Sequence, residues 1–280
     1  MTIGGRTDHR GVTRRVSCGG VELQVTEHGR GVPIVFLHGF PLDHTMWAGQ
    51  IGEFGQRWHA IAPDFHGFGG SQVTPGETTM EQMADDVAGT LDALGVDQPI
   101  VLVGLSMGGY VAFQFVRKHG SKLRGLVLCD TRSAADAPEA AAGRLKLAEH
   151  VLRAGTHYAA EAMLPRAFAP STFRDNPAVT EMARETVLAT SPVGIAAALH
   201  GLAQRPDMTG FLPSIRVPTL VVVGEQDVIS PPDEMREMAV RIPGSEFVVI
   251  PRSGHLPPVE NPVAFNEAVE KFLRKVVSGQ

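Results

Sequence analysis

Short apolar runs recur along the chain, and a loop and a segment with helical periodicity follow most of them. Nearly every position in these runs is apolar, which is typical of strands buried on both faces of a parallel sheet. The runs are PIVFLHG (33–39), WHAIAPD (58–64), PIVLVGL (99–105), LRGLVLCD (123–130), PTLVVVGEQD (218–227) and SEFVVIP (245–251). This alternation predicts an α/β fold with a mostly parallel central sheet.

Helical periodicity lies between the runs, where apolar residues recur three or four positions apart. The predicted helices are 79–96, 108–118, 231–242 and 261–277. In the last of these, Asn261 suits the cap and Pro262 the first helical position. Ahead of the first buried run, a segment that alternates apolar and polar residues around Gly19 and Gly20 predicts a β-hairpin.

The alternation of strands and helices stops between residues 131 and 214. This stretch, called the insertion below, is rich in Ala, Arg, Glu and Met and has no strand-like run. We therefore predict several short helices for it. The expected organisation is one α/β core, formed by residues 1–130 and 215–280, with the helical insertion 131–214 between its two parts, rather than two independent domains.

Composition and charge narrow the classes of partner. The 280 residues are 43% hydrophobic and 20% charged, as in ordinary soluble proteins. A formal net charge of −5 argues against nucleic acid and offers no attraction to an anionic membrane. No apolar run approaches the roughly 20 residues of a membrane span, and the N-terminus lacks the apolar stretch of a secretory signal. We expect a cytoplasmic protein that binds a small molecule, while the oligomeric state stays open.

The cysteines and histidines suggest neither a disulfide framework nor a metal site. Cys18 and Cys129 are the two cysteines, and we interpret both as free thiols in a reducing compartment. Eleven histidines are present, but they form no H-x-x-x-H pair and no Cys/His cluster. We expect an activity that needs no metal and no cofactor.

A serine between glycines ends one of the buried runs, in VLVGLSMGGY at 101–110. The pattern G-x-S-x-G is weak alone, but here a strand precedes it and a helix follows it. Such a turn presents the Ser106 hydroxyl at the carboxyl end of the sheet, with the Met107 N–H in the same space. We expect Gly104 and Gly108 to be required because a Cβ at either position would collide with a neighbouring strand or helix.

A serine nucleophile needs a base, and the base needs an acid to orient it. His255 lies in a Gly/Pro loop just after the strand SEFVVIP, so it points toward the same edge of the sheet as Ser106. For the acid we favour Asp227, after the preceding strand. Asp130, at the end of an earlier strand, is the serious alternative, and Glu225 is a weaker one.

The loop after the first buried run supplies a second donor for an oxyanion. In HGFP, the Phe40 N–H can point to the site opposite Met107, so we predict that these two backbone groups form an oxyanion hole. We expect the His38 ring to be satisfied by backbone contacts instead of taking part in the chemistry.

These motifs, HGFP, PDFHGFGGS, GLSMGGY, GEQD and SGHLPPVENP, resemble the α/β-hydrolase superfamily over nearly the whole chain. The resemblance implies the order Ser106, Asp227, His255 for a catalytic triad and a helical cap at the insertion. Parts of the insertion resemble the caps of 3-oxoadipate enol-lactone hydrolases and small-ester carboxylesterases. Carbon–carbon bond hydrolases share the same triad and stay open.

The predicted function is hydrolysis of small carboxylic esters, with enol-lactones of aromatic catabolism as the alternative substrates. A hydrolase-fold receptor or signalling protein with slow turnover is an alternative from another class. We expect a mostly apolar pocket between sheet and insertion, although ordinary core packing is at least as good an explanation for most of its candidate residues. These candidates are Trp47, Met163, Phe168, Leu199 and Leu256.

Overall fold

A single eight-stranded sheet organises the chain. The computed structural model describes residues 11–278. Its strands are β1 (Val12–Cys18), β2 (Val21–His28), β3 (Pro33–Leu37), β4 (His59–Pro63), β5 (Ile100–Leu105), β6 (Leu123–Cys129), β7 (Thr219–Gly224) and β8 (Glu246–Ile250). Their order across the sheet is β1-β2-β4-β3-β5-β6-β7-β8. This is the α/β architecture that the apolar runs predict.

Only β2 runs against its neighbours. It pairs antiparallel with β1, across the hairpin at Gly19 and Gly20, and antiparallel with β4, whereas β3 to β8 are all parallel. Strands β3, β5 and β7 are buried throughout, as their apolar sequences predict. Strand β8 differs, because it is the edge strand and four of its five residues are only partly buried.

The helices of the core cover both faces of the sheet. They are α1 (Ala48–Phe54), α2 (Met80–Ala93), α3 (Met107–His119), α9 (Pro232–Arg241), α10 (Pro257–Glu260) and α11 (Pro262–Ser278). A capping box between Thr79 and Gln82 begins α2. Asn261 accepts a hydrogen bond from the Ala264 N–H at the start of α11, as its sequence position predicts. The periodicity indicated neither α1 nor α10, which are only seven and four residues long.

Five α-helices, and a short 3-10 helix at Thr209–Ser214, occupy the insertion between β6 and β7. The α-helices are α4 (Pro138–Ala154), α5 (His157–Ala167), α6 (Pro170–Asp175), α7 (Pro177–Ala189) and α8 (Pro192–Ala203). Helix α8 lies directly on core loops: a Cβ added at Gly194 would be 2.0 Å from the Gly67 carbonyl oxygen, and one at Gly201 would be 2.0 Å from that of Thr78. Backbone contact this close requires glycine. The insertion is therefore seated on the loops that follow β4.

Within residues 11–278, no single helix is long and apolar enough to cross a membrane. Helices α7 and α8 satisfy the length and composition criteria only when taken together, and they meet at an angle of 97°. Most of α8 is buried inside the protein.

Both cysteines are buried free thiols, as the sequence analysis expects. Cys18 is the last residue of β1, and its Sγ lies 3.4 Å from the Thr90 hydroxyl oxygen of α2. Burial raises the pKa of both thiols, and most strongly that of Cys129. Neither thiol is therefore activated as a nucleophile.

Asp86 of α2 lies beside Cys18, and its carboxylate is poorly paired. Within the described residues the Oδ2 atom of Asp86 has no hydrogen-bond partner, and the His66 Nδ1 atom is 3.8 Å away. Burial, with a smaller contribution from the negative charge of Asp85, raises the pKa of Asp86 to about 6. The folded state therefore holds this proton more tightly than the unfolded state, and Asp86 opposes folding once it ionises.

We expect Asp86→Asn to stabilise the protein above pH 6 by about 1 kcal/mol, after allowance for partial solvent exposure of the side chain. The gain should disappear as the pH falls from 6 toward 4, since Asp86 is then protonated in the folded wild type. Urea unfolding at pH 4, 6 and 8 measures this. Asp92→Asn is the control: it removes a carboxylate of the same helix that is paired with Lys122 and should give no gain. A gain independent of pH would mean that the charge is not its cause.

Candidate active site

The turn from β5 into α3 holds Ser106 in an unusual backbone conformation. Its φ is 55° and its ψ is −112°, which a residue other than glycine rarely adopts. A Cβ at Gly104 would be 2.4 Å from the Gly108 carbonyl oxygen, and a Cβ at Gly108 would be 2.3 Å from that of Leu37. The predicted need for both glycines is confirmed.

Two hydrogen bonds fix the strained residue. The Ser106 N–H donates to the Cys129 carbonyl oxygen at 2.9 Å, and the Thr131 hydroxyl donates to the Ser106 carbonyl oxygen at 2.8 Å. Thr131 follows β6, so the neighbouring strand of the sheet supports the turn. Its contribution was missed at the sequence level, although its position directly after a buried strand and Asp130 was a usable signal.

The three residues predicted as a triad come together at the carboxyl ends of β5, β7 and β8. Ser106 Oγ lies 2.9 Å from His255 Nε2, and His255 Nδ1 lies 2.8 Å from Asp227 Oδ2. The side chains of His255 and Asp227 are 5% and 0% exposed, so water does not compete for the second contact. This geometry allows a proton to move from the serine to the imidazole.

Asp227 stays ionised in spite of its burial. Burial pushes the pKa of Asp227 upward, but the His255 ring and the N–H groups of Ile229 and Ser230 outweigh it, and the pKa falls below its ordinary value. The Ile229 N–H donates to Asp227 Oδ1 at 2.7 Å. One carboxylate oxygen is thus held by the loop backbone, and the other is free to accept from His255.

Asp130, the alternative acid, lies in the same cluster but faces a different partner. Its Oδ1 atom accepts the Gly224 N–H at 2.8 Å, while its Oδ2 atom has no hydrogen-bond partner within residues 11–278. Ligand atoms of Asp130, Asp227 and His255 all lie within 4.8 Å of one another. Complete burial, and then the charge of Asp227, raise the pKa of Asp130 well above its ordinary value.

The loop after β3 passes directly beside the serine. A Cβ built on Gly39 would be 3.6 Å from the Ser106 Cβ. Within the described residues, the Phe40 and Met107 N–H groups donate to no acceptor of the protein, so both are free to bind an oxyanion. The predicted pair of donors is thus available, although its catalytic role stays a prediction.

The His38 ring fixes this loop. Its Nε2 atom accepts the Phe65 N–H at 3.0 Å, so the proton is on Nδ1, which donates to the Gly39 carbonyl oxygen at 3.0 Å. The ring is fully buried, and burial lowers the pKa of His38. His38 is therefore a neutral residue satisfied by backbone contacts, as the sequence analysis predicts.

A cleft of about 410 Å³ lies between the insertion and the loop that carries Asp227, and neither Ser106 nor His255 is among the residues that line it. Met163 of α5, Leu199 of α8 and Ile229 line it, which includes two of the predicted pocket residues. Most of the residues that line this cleft are apolar, as the sequence analysis expects. Its lining also contains charged residues from the start of the insertion and from α4 and α5, namely Arg132, Asp136, Arg144 and Arg166.

Three predicted pocket residues lie elsewhere. Trp47 is 0% exposed and packs against Phe36 and Phe265, with ring centroids 5.2 and 6.0 Å apart. Core packing, the alternative that the sequence analysis gave, accounts for this position, and Trp47 does not line the cleft. Phe168 and Leu256 are buried as well, and neither lines this cleft. Ordinary core packing accounts for both.

The sheet, the serine turn and the loops at its edge together define a hydrolase of the α/β class. The model of the family described as alpha/beta hydrolase fold matches residues 32–262, and the chain belongs to this family.

Similar proteins include esterases and enol-lactonases. A solved thermophilic esterase from Thermogutta terrifontis with malate bound is 50% identical, has a TM-score of 0.92 and covers 95% of this chain and 99% of its own. The enol-lactonase structure from Burkholderia xenovorans LB400 is 29% identical, with a TM-score of 0.87, and covers 93% and 99%. The 3-oxoadipate enol-lactonase 2 of Acinetobacter baylyi is 28% identical over 242 residues, which are 86% of this chain and 88% of that protein. These relatives support a hydrolytic enzyme.

Proposed function

We propose that this protein is a serine hydrolase that cleaves small carboxylic esters through an acyl-enzyme on Ser106. The observation that carries the proposal is the continuous contact from Ser106 Oγ through the His255 ring to Asp227, with distances of 2.9 and 2.8 Å. A serine hydroxyl is a weak nucleophile at neutral pH and reacts only when a base takes its proton. His255 is in position to do so.

In the acylation step, Ser106 Oγ attacks the ester carbonyl carbon while His255 Nε2 takes the hydroxyl proton. Asp227 stabilises the resulting imidazolium. The carbonyl oxygen becomes negative and accepts the N–H groups of Phe40 and Met107, each worth on the order of 3 kcal/mol in the transition state. The imidazolium then gives its proton to the leaving alcohol, and the C–O bond breaks.

Deacylation repeats these steps with water as the nucleophile. His255 takes a proton from the water as the water oxygen attacks the acyl carbon, and the same two N–H groups bind the second oxyanion. His255 then returns the proton to Ser106 Oγ, and the carboxylic acid leaves. The cycle uses only side chains and backbone groups of this chain.

Enol-lactones are the second candidate substrates. Two similar proteins, which are enol-lactonases by name, support this candidate. The chemistry is the same, except that the leaving enol stays tethered to the acyl group. A slow receptor or signalling role is the third candidate, and its sign would be one turnover per protein.

We expect continuous turnover of p-nitrophenyl acetate and butyrate, and slower turnover of the octanoate, on the proposal that the acyl group enters the cleft of about 410 Å³, a volume at the small end of ligand pockets. Steady-state release of p-nitrophenol measures this, and a pH-stat comparison of ethyl butyrate with γ-butyrolactone separates ester from lactone preference. A burst of one equivalent followed by no turnover would favour the receptor. A preference for octanoate would refute the small acyl site.

A further inference from the structure

Outside the proposed triad, the carboxylate of Glu260 accepts hydrogen bonds from the residues on either side of His255. Glu260 Oε1 accepts the Gly254 N–H at 2.9 Å and the Leu256 N–H at 3.1 Å, so it holds the two peptide groups that flank the histidine. Glu260 belongs to SGHLPPVENP, but the sequence analysis assigned it no role.

The other oxygen of this carboxylate is bound to the insertion. Glu260 Oε2 accepts the Ala169 N–H at 2.8 Å and the Thr172 hydroxyl at 2.6 Å. One side chain therefore joins the His255 loop to the segment between α5 and α6, with four hydrogen bonds. Bonds to an ionised acceptor are stronger than neutral ones.

The His255 peptide group is itself bound to the insertion. Its N–H donates to the Ala167 carbonyl oxygen at 2.9 Å. A Cβ on Gly254 would be only 2.6 Å from the Ala169 nitrogen, so the two segments are in backbone contact. The N–H groups of residues 254, 255 and 256 are thus all held by Glu260 or by the insertion.

The helix that carries Glu260 is anchored to the core. Gln50 of α1 is fully buried, and its Nε2 atom donates to the Pro258 carbonyl oxygen of α10 at 3.0 Å. The same atom donates to Asn266 Oδ1 of α11 at 2.9 Å. Glu260 therefore extends from a fixed point of the core to both the histidine loop and the insertion.

We propose that Glu260 is a positioning residue that sets the place of His255 relative to Ser106 by joining the His255 loop to the insertion. The proposal rests on the proposed function of His255 as the general base. Proton transfer from Ser106 depends on a distance of 2.9 Å, and displacement by about 1 Å can cost on the order of 100-fold in rate. A shift of residues 167–172 is transmitted to the base through this carboxylate.

We expect Glu260→Gln to lower kcat by roughly 10- to 100-fold with KM changed less than about threefold, because the chemistry depends on the base geometry and binding depends on the cleft. The glutamine side chain keeps one oxygen that can accept from two of the four donors. Its NH₂ group then faces the other two donors and cannot accept from them. Steady-state kinetics of p-nitrophenyl butyrate hydrolysis, measured well below the melting temperature of each protein, gives both constants.

Two further variants separate positioning from general loss of a charge. Glu270→Gln removes a carboxylate of α11 that binds Arg57 and Arg274, and it should leave kcat unchanged. Thr172→Val removes only one bond on the insertion side and should lower kcat about two- to fivefold. If Glu260→Gln does not fold, Thr172→Val decides: a wild-type kcat overturns the proposal. An equal loss in Glu270→Gln overturns it as well.

A spectroscopic measurement tests the same point without substrate. The His255 Nδ1 proton, bonded to Asp227, should give a downfield NMR resonance in wild type that broadens or shifts in Glu260→Gln and stays in place in Glu270→Gln. An unchanged resonance together with wild-type kcat overturns the proposal. A wild type that hydrolyses no ester contradicts the proposed function instead, and the resonance still reports on Glu260.

Discussion

Ser106→Ala should reduce ester hydrolysis by about 10⁶ in kcat, the loss seen when the nucleophile of a comparable triad is removed. The variant retains the oxyanion donors and the cleft, so substrate binding should change little. The alanine Cβ occupies the same space as that of serine, and the hydrogen bonds of residue 106 to Cys129 and Thr131 involve only its backbone. We therefore expect a folded protein that still binds substrate.

The measurement is p-nitrophenyl butyrate hydrolysis by purified wild type and variant, with thermal unfolding curves for both. Ser245→Ala is the control, because its hydroxyl binds the Ala239 carbonyl oxygen at the far end of α9, and it should retain full activity. A Ser106→Ala variant with wild-type turnover would exclude the proposed nucleophile, and the receptor hypothesis would then be preferred.

Asp227→Asn should lower kcat by about 10⁴, whereas Asp130→Asn should change it less than about threefold. Asparagine at position 227 can turn its NH₂ group toward His255 Nδ1, which favours the wrong tautomer of the imidazole. Otherwise it leaves the His255 ring without a charged partner. Burial and the neighbouring Asp227 raise the pKa of Asp130, which disfavours its charged form. An asparagine there keeps the size of the side chain and the acceptor for the Gly224 N–H.

The pair of variants forms its own control, since both substitutions remove the same atoms from buried carboxyl groups in one cluster. Kinetics of both should be measured at pH 7 and 8, where Asp227 is ionised. Comparable losses in both variants would mean that the two acids act as a unit and that the assignment of Asp227 alone is wrong.

The serine turn was predictable from sequence because its constraints are local. A buried run, two glycines and a helix in direct succession leave few conformations, and the collisions at Gly104 and Gly108 are between residues close in sequence or on the adjacent strand. The order of the strands along the chain likewise placed Asp227 and His255 at one edge of the sheet, because parallel strands end on the same side.

The pocket was not predictable in the same way, since its walls depend on the direction of single side chains. Trp47 comes soon after the loop that carries Phe40, yet its ring packs inside the core against Phe36. Arg144 lies on α4, whose sequence gave no sign that this face lines the cleft. The partial exposure of β8 depends on its place at the sheet edge, which its apolar sequence does not record.

The insertion is one continuous stretch of chain that begins after β6 and ends before β7. Exchange of this stretch for that of another family member, with Thr131 retained, would replace the cleft wall formed by Met163 and Leu199 and keep the hydrogen bonds that fix Ser106. It would also replace Ala167 and Thr172, which hold the histidine loop. For protein engineering, a grafted substrate specificity must therefore include a matching 167–172 segment, or the graft will alter the catalyst along with its choice of substrate.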